Sequence, residues 1–196
     1  MKNLYCIRHG LALHNSLYKK YGSDIFYNLN YKDTLLIPEG HTQSLQLGET
    51  WKDIDKIELI IVSPLKRTLQ TAHNIFKNKN IPMIALDICR EFPLGLHACN
   101  YRSSKDELEI LYPNVDFSSL KTNYDELWFP KREEKIEELN IRIKKTLEFI
   151  KSRPEKNIAF VNHNSFIGQM KDNKILLMDN GSQELKHCFP YLMTIE

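Results

Sequence analysis

The sequence predicts an α/β fold in which helices lie on the faces of a parallel β-sheet. Four short apolar runs have the length and composition of buried strands, at residues 4–7, 58–62, 82–86 and 157–161. An amphipathic helix is predicted between the second and third runs, and a longer one before the fourth. Strands that alternate with helices in this way are typical of a parallel sheet covered by helices.

The helices are predicted from capping residues and apolar spacing. For the first, Ser63 is the expected N-cap and Pro64 the first helical residue. Its apolar face contains Leu65, Leu69, Ala72 and Phe76. The longer helix is predicted over residues 132–151, with an apolar face of Ile136, Leu139, Ile143, Leu147 and Ile150. A third helix is predicted over residues 40–51, although Gly48 interrupts its pattern.

Two other segments affect the organisation of the chain. Residues 92–130 contain several prolines and no clear periodicity, which predicts an irregular cap or lid over one end of the sheet. Residues 175–193 contain two apolar runs that are separated at Asn180 and Gly181, and one run is expected to form an edge strand.

Bulk composition narrows the class of protein. The 196 residues, 42% of them hydrophobic, suffice for one substantial core, so a single domain over residues 1–196 is expected. A net charge of +2 with scattered lysines does not indicate nucleic-acid binding. The apolar runs are too short for a signal peptide or a membrane span, and the four cysteines are far apart. We therefore expect a soluble cytoplasmic protein with reduced thiols and no membrane partner.

Polar side chains follow each of the four predicted strands. In chain order they are residues 8–9, 63–67, 90–91 and 162–164. In an open α/β sheet, the carboxyl ends of the strands form the crevice where ligands bind. Arginine, histidine and carboxylate side chains from distant parts of the chain are therefore expected to meet at one site.

This set of side chains suits a phosphoryl group better than a metal ion. Arginine does not ligate cations, and the carboxylates are too few for Mg²⁺ or Ca²⁺, so no metal or other cofactor is predicted. Guanidinium groups give paired hydrogen bonds to phosphate oxygens. Arg67 is expected in the first turn of its helix, where the helix dipole also attracts an anion. Gly10 is expected to let the backbone turn and approach that anion closely.

Four short motifs, spread over most of the chain, coincide with these strand ends. They are IRHG at residues 7–10, SPLKRTLQTA at 63–72, RE at 90–91 and VNH at 161–163. Their order resembles that of the histidine phosphatase superfamily, the phosphoglycerate mutase-like proteins, and PEGHTQS at 38–44 is similar to a helix start of that family. The resemblance implies a three-layer αβα sandwich with a mostly parallel sheet and one antiparallel edge strand.

The resemblance also implies a phosphatase that hydrolyses a small phosphorylated metabolite through a phosphohistidine. His9 would be the nucleophile, and Glu91 would act first as general acid and then as general base. Arg8, Arg67 and His163 would hold the phosphate oxygens. These residue types suit the chemistry, because a neutral imidazole can attack phosphorus, cations offset charge on its oxygens, and a carboxylic acid protonates the leaving oxygen.

A second group of residues resembles the plant and fungal broad-specificity phosphatase-like members of the family: residues 14–15, 92–103, 113–117, 128 and 132–133. This resemblance implies that Asn15 contacts the phosphate and that His97 and Arg102 line the substrate pocket. Asn164 departs from the family pattern, in which a small residue often follows the last histidine. We expect Asn164 to make the pocket narrower or more polar.

Several assignments have alternatives on the sequence alone. Asp87 and Glu107 are alternative acids to Glu91, and His14 suits a structural role as well as substrate contact. A mutase that returns the phosphoryl group to a bound intermediate is a second candidate function. The third is a regulatory module that binds a phosphorylated ligand without turning it over.

Overall fold

The computed structural model describes residues 1–175 and 184–196 and places six strands of these residues in one sheet. The strands are β1 (Lys2–Arg8), β2 (Leu59–Val62), β3 (Met83–Ala85), β4 (Val115–Asp116), β5 (Asn157–Asn162) and β6 (Pro190–Ile195). Their spatial order is β4, β3, β2, β5, β1, β6. Neighbouring strands are parallel except β1 and β6, which are antiparallel. The predicted mostly parallel sheet with one antiparallel edge strand is confirmed.

Helices cover both faces of this sheet. Those in the described residues are α1 (Leu13–Tyr21), α2 (Pro38–Thr50), α3 (Lys66–Ile75), α4 (Lys105–Leu111), α5 (Ile136–Ser152) and α6 (Asn164–Asp172). Ile60 and Val62 of β2 pack in one core with α2 and α3, whereas Leu59 and Ile61 pack in a second core with α5 and α6. Successive strand residues point to opposite faces, so the sheet is the middle layer of an αβα sandwich.

The start of α3 differs from the prediction by two residues. The helix begins at Lys66, and Leu65 occupies the N-cap position in an extended conformation. Ser63 and Pro64 therefore precede the helix, and Ser63 does not cap it. The Ser63 hydroxyl instead lies 2.8 Å from Nε2 of His163. Ser63 directly follows β2, and its backbone N–H donates to the oxygen of Val161 in β5, which places the serine beside the end of that strand.

The longer predicted helix also begins later than expected. α5 starts at Ile136 rather than Arg132, because Glu138 binds the residues in front of the helix. Its carboxylate accepts a 2.8 Å hydrogen bond from the backbone N–H of Lys135 and two of 2.7 Å from Arg132. The Glu138 side chain thus caps the start of α5, and Arg132 belongs to the residues that precede the helix.

Gly48 lies inside α2 and does not interrupt it. A Cβ atom at this position would lie 2.5 Å from the backbone oxygen of Ile75, at the end of α3. The glycine therefore permits the close approach of two packed helices, and this close approach compensates for its low helix propensity.

The segment 92–130 contains regular structure that the sequence did not predict. Both α4 and β4 lie within it, and β4 extends the sheet by pairing Val115 with Met83 of β3. Residues 92–100 lie near the carboxyl ends of the strands, where several of their side chains line a cavity. The segment therefore contributes both to the sheet and to the site described below.

The last part of the chain supplies the edge strand. The second of the two apolar runs expected at residues 175–193 forms β6, which confirms that prediction. The first run falls largely on residues 176–183, outside the described part of the chain. Among the described helices, none combines the length and the apolarity that crossing a membrane requires.

Candidate active site

A cavity of about 310 Å³ lies at the carboxyl ends of β1 and β5, and Arg8, His9, Asn164 and Ser165 line it there. β1 and β5 end in register, with Arg8 opposite Asn162, and β2 joins them through the pairing of Val62 with Val161. The cavity volume is that of a pocket for a small metabolite. Six of the nine predicted site residues line it: Arg8, His9, Asn15, Glu91, His97 and Asn164.

Two more predicted residues, Arg67 and His163, are fully buried directly behind this lining. The rings of His163 and His9 are 5.2 Å apart. Arg67 donates a 2.7 Å hydrogen bond to the backbone oxygen of Cys99, which lines the cavity, and another of 3.0 Å to Asn100. Eight of the nine predicted residues therefore line the cavity or lie directly behind its lining.

His9 is held in one orientation and one tautomer. Its Nδ1 lies 2.7 Å from the backbone oxygen of Gly10. A carbonyl oxygen only accepts hydrogen bonds, so Nδ1 carries the proton and Nε2 carries a lone pair. Burial, and after it the positive charge of Arg67, holds the pKa of His9 well below its ordinary value of 6.5. His9 is therefore a neutral imidazole at physiological pH.

Arg8 and Arg67 are both buried, and the Nε–H group of each has no hydrogen-bond partner among the described residues. Arg8 pairs with Glu184 at 2.9 Å and donates to the backbone oxygen of Leu185 at 2.7 Å. Among the described residues, no partner is found for Nε of Arg8 or Nε of Arg67. Most buried polar groups in proteins have a hydrogen-bond partner, so two unpaired guanidinium donors beside a cavity indicate an anion site.

His163 contributes a further polar atom of the same kind. Its Nε2 contacts the Ser63 hydroxyl, and its Nδ1 has no partner within the described part of the chain. Burial, followed by the charge of Arg67, holds the pKa of His163 well below 6.5. The ring is therefore neutral and presents one nitrogen that the fold does not use.

Glu91 and Glu133 are the two carboxylates among the described residues that line the cavity, and burial favours the protonated form of Glu91. Its Oε1 accepts hydrogen bonds from the backbone N–H of Phe92 at 2.8 Å and of Phe166 at 3.2 Å. Its Oε2 accepts one of 3.3 Å from the N–H of Ser165, at the start of α6. Burial nevertheless raises the pKa of Glu91 above its usual value, although these hydrogen bonds and Arg67 oppose the shift. A raised carboxyl pKa is typical of a general acid.

The two alternative acids are engaged elsewhere. Asp87 lies 3.1 Å from Nε of Arg90 and 3.3 Å from Nε of Arg102. Glu107 forms a 2.5 Å ion pair with Lys66 on the surface. Neither lines the cavity, so the geometry favours Glu91 over both of these alternatives.

Three polar residues complete the wall near His9. Asn15 is buried and accepts a 3.1 Å hydrogen bond from the N–H of Ala12. His14, whose role the sequence left open, lines the cavity and also contacts the Thr34 hydroxyl at 2.6 Å. Asn164 accepts a 3.0 Å hydrogen bond from the N–H of Leu185, which joins α6 to the last part of the chain.

His97 lies in an aromatic wall that the sequence did not reveal. Its ring stacks on Phe26 at 5.1 Å and meets Tyr27 edge-on at 5.3 Å, and its Nε2 lies 3.3 Å from Glu133. Phe26 and Tyr27 belong to a short 3₁₀ turn over residues 23–27. That turn has no apolar periodicity, so nothing in the local sequence placed these rings at the cavity.

Arg102 does not line the cavity, contrary to the prediction. Its guanidinium is almost fully buried and donates to four backbone oxygens, those of Ser103, Thr122, Asn123 and Tyr124, at 2.9–3.0 Å. These carbonyl groups belong to a loop without regular structure and need donors. Arg102 therefore holds the 122–124 loop in place.

Gly10 and the N-terminus of α3 were both predicted to face a bound anion, and the structure gives each a different contact. The N–H of Gly10 donates to the Thr71 hydroxyl at 3.0 Å, and a Cβ atom on Gly10 would lie 2.5 Å from the backbone oxygen of Gly40. Close packing against α2 thus requires this glycine. The first N–H of α3, on Lys66, donates to Asp33 at 2.9 Å, so the helix terminus faces a carboxylate of the protein.

His187 is a third histidine beside His9, after His14 and His163, and was not predicted as a site residue. Its ring is 5.7 Å from that of His9, and its Nδ1 lies 2.5 Å from the His9 backbone oxygen. Burial, and then the charge of Arg8, lowers the pKa of His187 to about 4. Among residues 1–175 and 184–196, no three His, Cys, Asp or Glu side chains are arranged to hold a metal ion.

Comparison with known proteins agrees with this geometry. A family model described as histidine phosphatase superfamily (branch 1) matches residues 4–173. Phosphoglycerate mutase-like protein 1 of Arabidopsis thaliana is 33% identical over 207 residues, which cover 85% of this chain and 69% of that protein. A probable phosphatase of Schizosaccharomyces pombe is 31% identical over 176 residues, which cover 83% and 74%.

The fold is also found among solved structures. The structure of Bacillus stearothermophilus YhfR matches with a TM-score of 0.67 at 18% identity, covering 100% of this chain and 92% of that one. At this identity the likeness concerns the fold alone. The sequence relatives come from a plant and a fungus, as the resemblance predicted, and the family match includes all four motifs. The chain therefore belongs to branch 1 of the histidine phosphatase superfamily.

Proposed function

We propose that the protein is a metal-independent phosphomonoesterase, which hydrolyses a small phosphorylated metabolite through a phosphohistidine on His9. The observation that carries the proposal is the fixed tautomer of His9, whose Nδ1 donates to Gly10 and whose Nε2 keeps its lone pair. A neutral imidazole held in this way beside a carboxylic acid is an activated nucleophile. The similarity to the probable phosphatase of Schizosaccharomyces pombe supports the same activity.

The first step transfers the phosphoryl group to the enzyme. The lone pair of His9 Nε2 attacks phosphorus, and the bond between phosphorus and the alcohol oxygen breaks. Glu91, whose pKa is raised by burial, delivers its proton to that leaving oxygen. The products of this step are the free alcohol and a phosphohistidine, and Glu91 is left as a carboxylate.

The second step returns the enzyme to its starting state. A water molecule attacks phosphorus, the N–P bond breaks, and the Glu91 carboxylate takes the proton that the water loses. Inorganic phosphate leaves and Nε2 regains its lone pair. In both steps the unpaired Nε atoms of Arg8 and Arg67 and the unpaired Nδ1 of His163 suit the oxygens of the transferred group.

We further propose that Asn15 and Asn164 contact the phosphate from the cavity wall and that the chain acts as one domain. The cavity draws residues from nearly the whole chain, Arg8 at one end and Ser165 at the other, and β4 joins the 92–130 segment to the common sheet. In this arrangement the first residues of that segment close the cavity over the strand ends.

Trapping the covalent intermediate tests the proposal. The protein is incubated with an aryl phosphate labelled in the phosphoryl group and is quenched. We expect a phosphoprotein that is labile to acid and stable to base, absent in His9→Ala and present in His73→Ala, a matched change of an exposed histidine on α3. A wild-type protein that forms no such adduct and releases no phosphate from a broad panel of phosphomonoesters would refute it.

A leaving-group comparison tests the acid. The variant Glu91→Gln loses the proton that an alkyl alcohol needs on departure, whereas an activated phenolate leaves without it. We expect a loss of about 10²- to 10⁴-fold for the alkyl ester and a much smaller loss for the nitrophenyl ester. Equal losses for both esters would remove Glu91 from this role. Isomerisation of 3-phosphoglycerate that outpaces hydrolysis would favour the mutase.

A further inference from the structure

The cavity has a second region, which extends from the nucleophile along a series of rings. The His9 ring lies 6.1 Å from that of His14, which lies 6.3 Å from Phe26, which in turn stacks on His97 at 5.1 Å. Tyr27 closes the series by meeting His97 edge-on. We call Phe26, Tyr27 and His97 the aromatic wall. Rings at this spacing already contact one another, so an aromatic ligand would lie against their edges or outer faces.

A carboxylate lies at the end of the aromatic wall. Oε1 of Glu133 accepts a 3.1 Å hydrogen bond from the Tyr27 hydroxyl and lies 3.3 Å from Nε2 of His97. No described residue donates to its second oxygen, Oε2, and the side chain is 43% exposed. Glu133 also lines the cavity, so one of its oxygens is available to a ligand there.

The charges of the cavity are therefore divided between its two regions. Among the described lining residues, the one arginine is Arg8, at the end of β1 beside His9. The aromatic wall has no lysine or arginine among its described residues, and its charged group is Glu133. A ligand with a phosphoryl group at His9 would place its remaining part against rings and a negative charge.

We propose that this region selects the alcohol part of the substrate, favouring an aromatic alcohol with a cationic or hydrogen-bond-donating substituent and disfavouring a second anion. This inference rests on the proposed phosphomonoesterase activity. A carboxylate or a second phosphate on the substrate would face Glu133, and no described lining residue at the aromatic wall is a lysine or arginine that could offset the charge. The neighbouring Arg132 is already paired with Glu138, whereas an ammonium group on the substrate would gain Glu133 as a partner. The same charge arrangement disfavours the carboxylate-bearing substrates and bisphosphates of a mutase.

Three matched esters test the proposal: phenyl phosphates with a methyl, an aminomethyl or a carboxymethyl group in the para position. The methylene spacer keeps the leaving phenols similar in acidity, so differences in kcat/KM for phosphate release report on the substituent charge. We expect the order aminomethyl, methyl, carboxymethyl, with steps of about three- to tenfold, because Glu133 is partly exposed and its field is screened.

Variants assign the preference to residues. Glu133→Gln should bring the three values within about twofold of each other, and Glu133→Lys should reverse their order. Glu148→Lys, the same charge change at an exposed position on α5 outside the cavity, should retain the wild-type order. Phe26→Ala should lower kcat/KM for all three esters, because the ring contact is lost whatever the substituent.

The outcomes separate this inference from the proposed function. Phosphate release at equal rates from the three esters, or fastest from the carboxymethyl ester, overturns the inference and leaves the phosphomonoesterase intact. The affinities of three matching non-hydrolysable phosphonates, measured by titration calorimetry, test the same preference without turnover. The expected order of affinities without any phosphate release supports the selective wall and overturns the activity. Equal affinities overturn the selective wall.

Discussion

Removal of Arg142 should disturb Glu91 from a distance. Arg142, on α5, donates to the backbone oxygens of Ile88 and Arg90 at 2.8 Å each, directly before Glu91 in the chain. It also pairs with Glu134 through two hydrogen bonds of 2.6 and 2.7 Å. Both partners of the ion pair are less than a tenth exposed. Arg142 therefore fixes the loop that carries the proposed acid.

Glu134 supports the other side of the same loop. Its carboxylate accepts a 3.0 Å hydrogen bond from the backbone N–H of Leu94, three residues after Glu91. Breaking a buried ion pair by removing one partner costs about 3–5 kcal/mol, because the remaining charge is left without compensation. For a chain of this size, 1 kcal/mol shifts the unfolding temperature by about 2–4 °C. Arg142→Met should therefore lower it by about 6–20 °C.

The kinetic effect distinguishes positioning from general loss of stability. With a misplaced acid, hydrolysis of an alkyl phosphate should fall about 10²-fold, which is a larger loss than the decrease in folded protein would cause. Hydrolysis of nitrophenyl phosphate should fall far less. Arg142→Lys keeps the charge beside Glu134 but replaces the two-pronged guanidinium by a single ammonium group. This variant should be more stable than Arg142→Met and should show the same leaving-group dependence as Arg142→Met.

A matched control lies on the surface near the same helix. Arg132 and Glu138 form a similarly short, bidentate pair, but their side chains are 50% and 39% exposed. Arg132→Met should leave the unfolding temperature and the leaving-group dependence close to those of the wild-type protein. If Arg142→Met reduced the turnover of both esters equally, or if its stability matched that of the surface variant, the positioning argument would be refuted.

Three other perturbations probe the surroundings of His9. Gly40→Ala would place a Cβ atom 2.2 Å from the backbone oxygen of Leu11, so thermal unfolding should show a loss of about 1–3 kcal/mol, and a fully stable variant would contradict this packing. Glu184→Gln removes the carboxylate charge that is paired with Arg8 and would compete with phosphate for it. KM for aryl phosphates should therefore fall about threefold, and an increase in KM would count against this competition. The lowered pKa of His187, about 4 against an ordinary 6.5, stabilises the fold above pH 6.5 and is lost as the pH falls towards 4. His187→Gln should therefore reduce the slope of the unfolding free energy in that window by about 1.4 kcal/mol per pH unit, and an unchanged slope would contradict the shift.

The sequence predicts the part of the site that depends on strand ends. Arg8, His9, Glu91 and His163 each follow a predicted strand, and parallel strands end at one edge whatever the details of packing. The alternation of strands and helices therefore sufficed to place them together. The three-layer fold follows from the same alternation, which buries both faces of the sheet.

The errors concern residues whose role depends on tertiary contacts. Arg102 was assigned to the pocket, but a loop 20 residues further along the chain needs its donors. Gly10 was assigned to a turn, but a glycine of α2 requires the close approach. Phe26 reaches the cavity from a 3₁₀ turn that has no apolar periodicity. In each case the deciding partner is distant in sequence, so local patterns carry no signal for it.

Burial shifts the pKa values of His9 and Glu91 in opposite directions. Burial disfavours the charged form of any side chain, so it lowers the pKa of His9 and raises that of Glu91. A neutral nucleophile and a protonated acid are the two forms that the proposed first step requires. The charge of Arg67 lowers both pKa values, which helps His9 and opposes the protonation of Glu91. At His9 burial and Arg67 act in the same direction, whereas at Glu91 burial outweighs Arg67 and the pKa still rises. Burial thus allows a neutral imidazole and a carboxyl group with a raised pKa to share one small cavity, even though the charge of Arg67 acts on both.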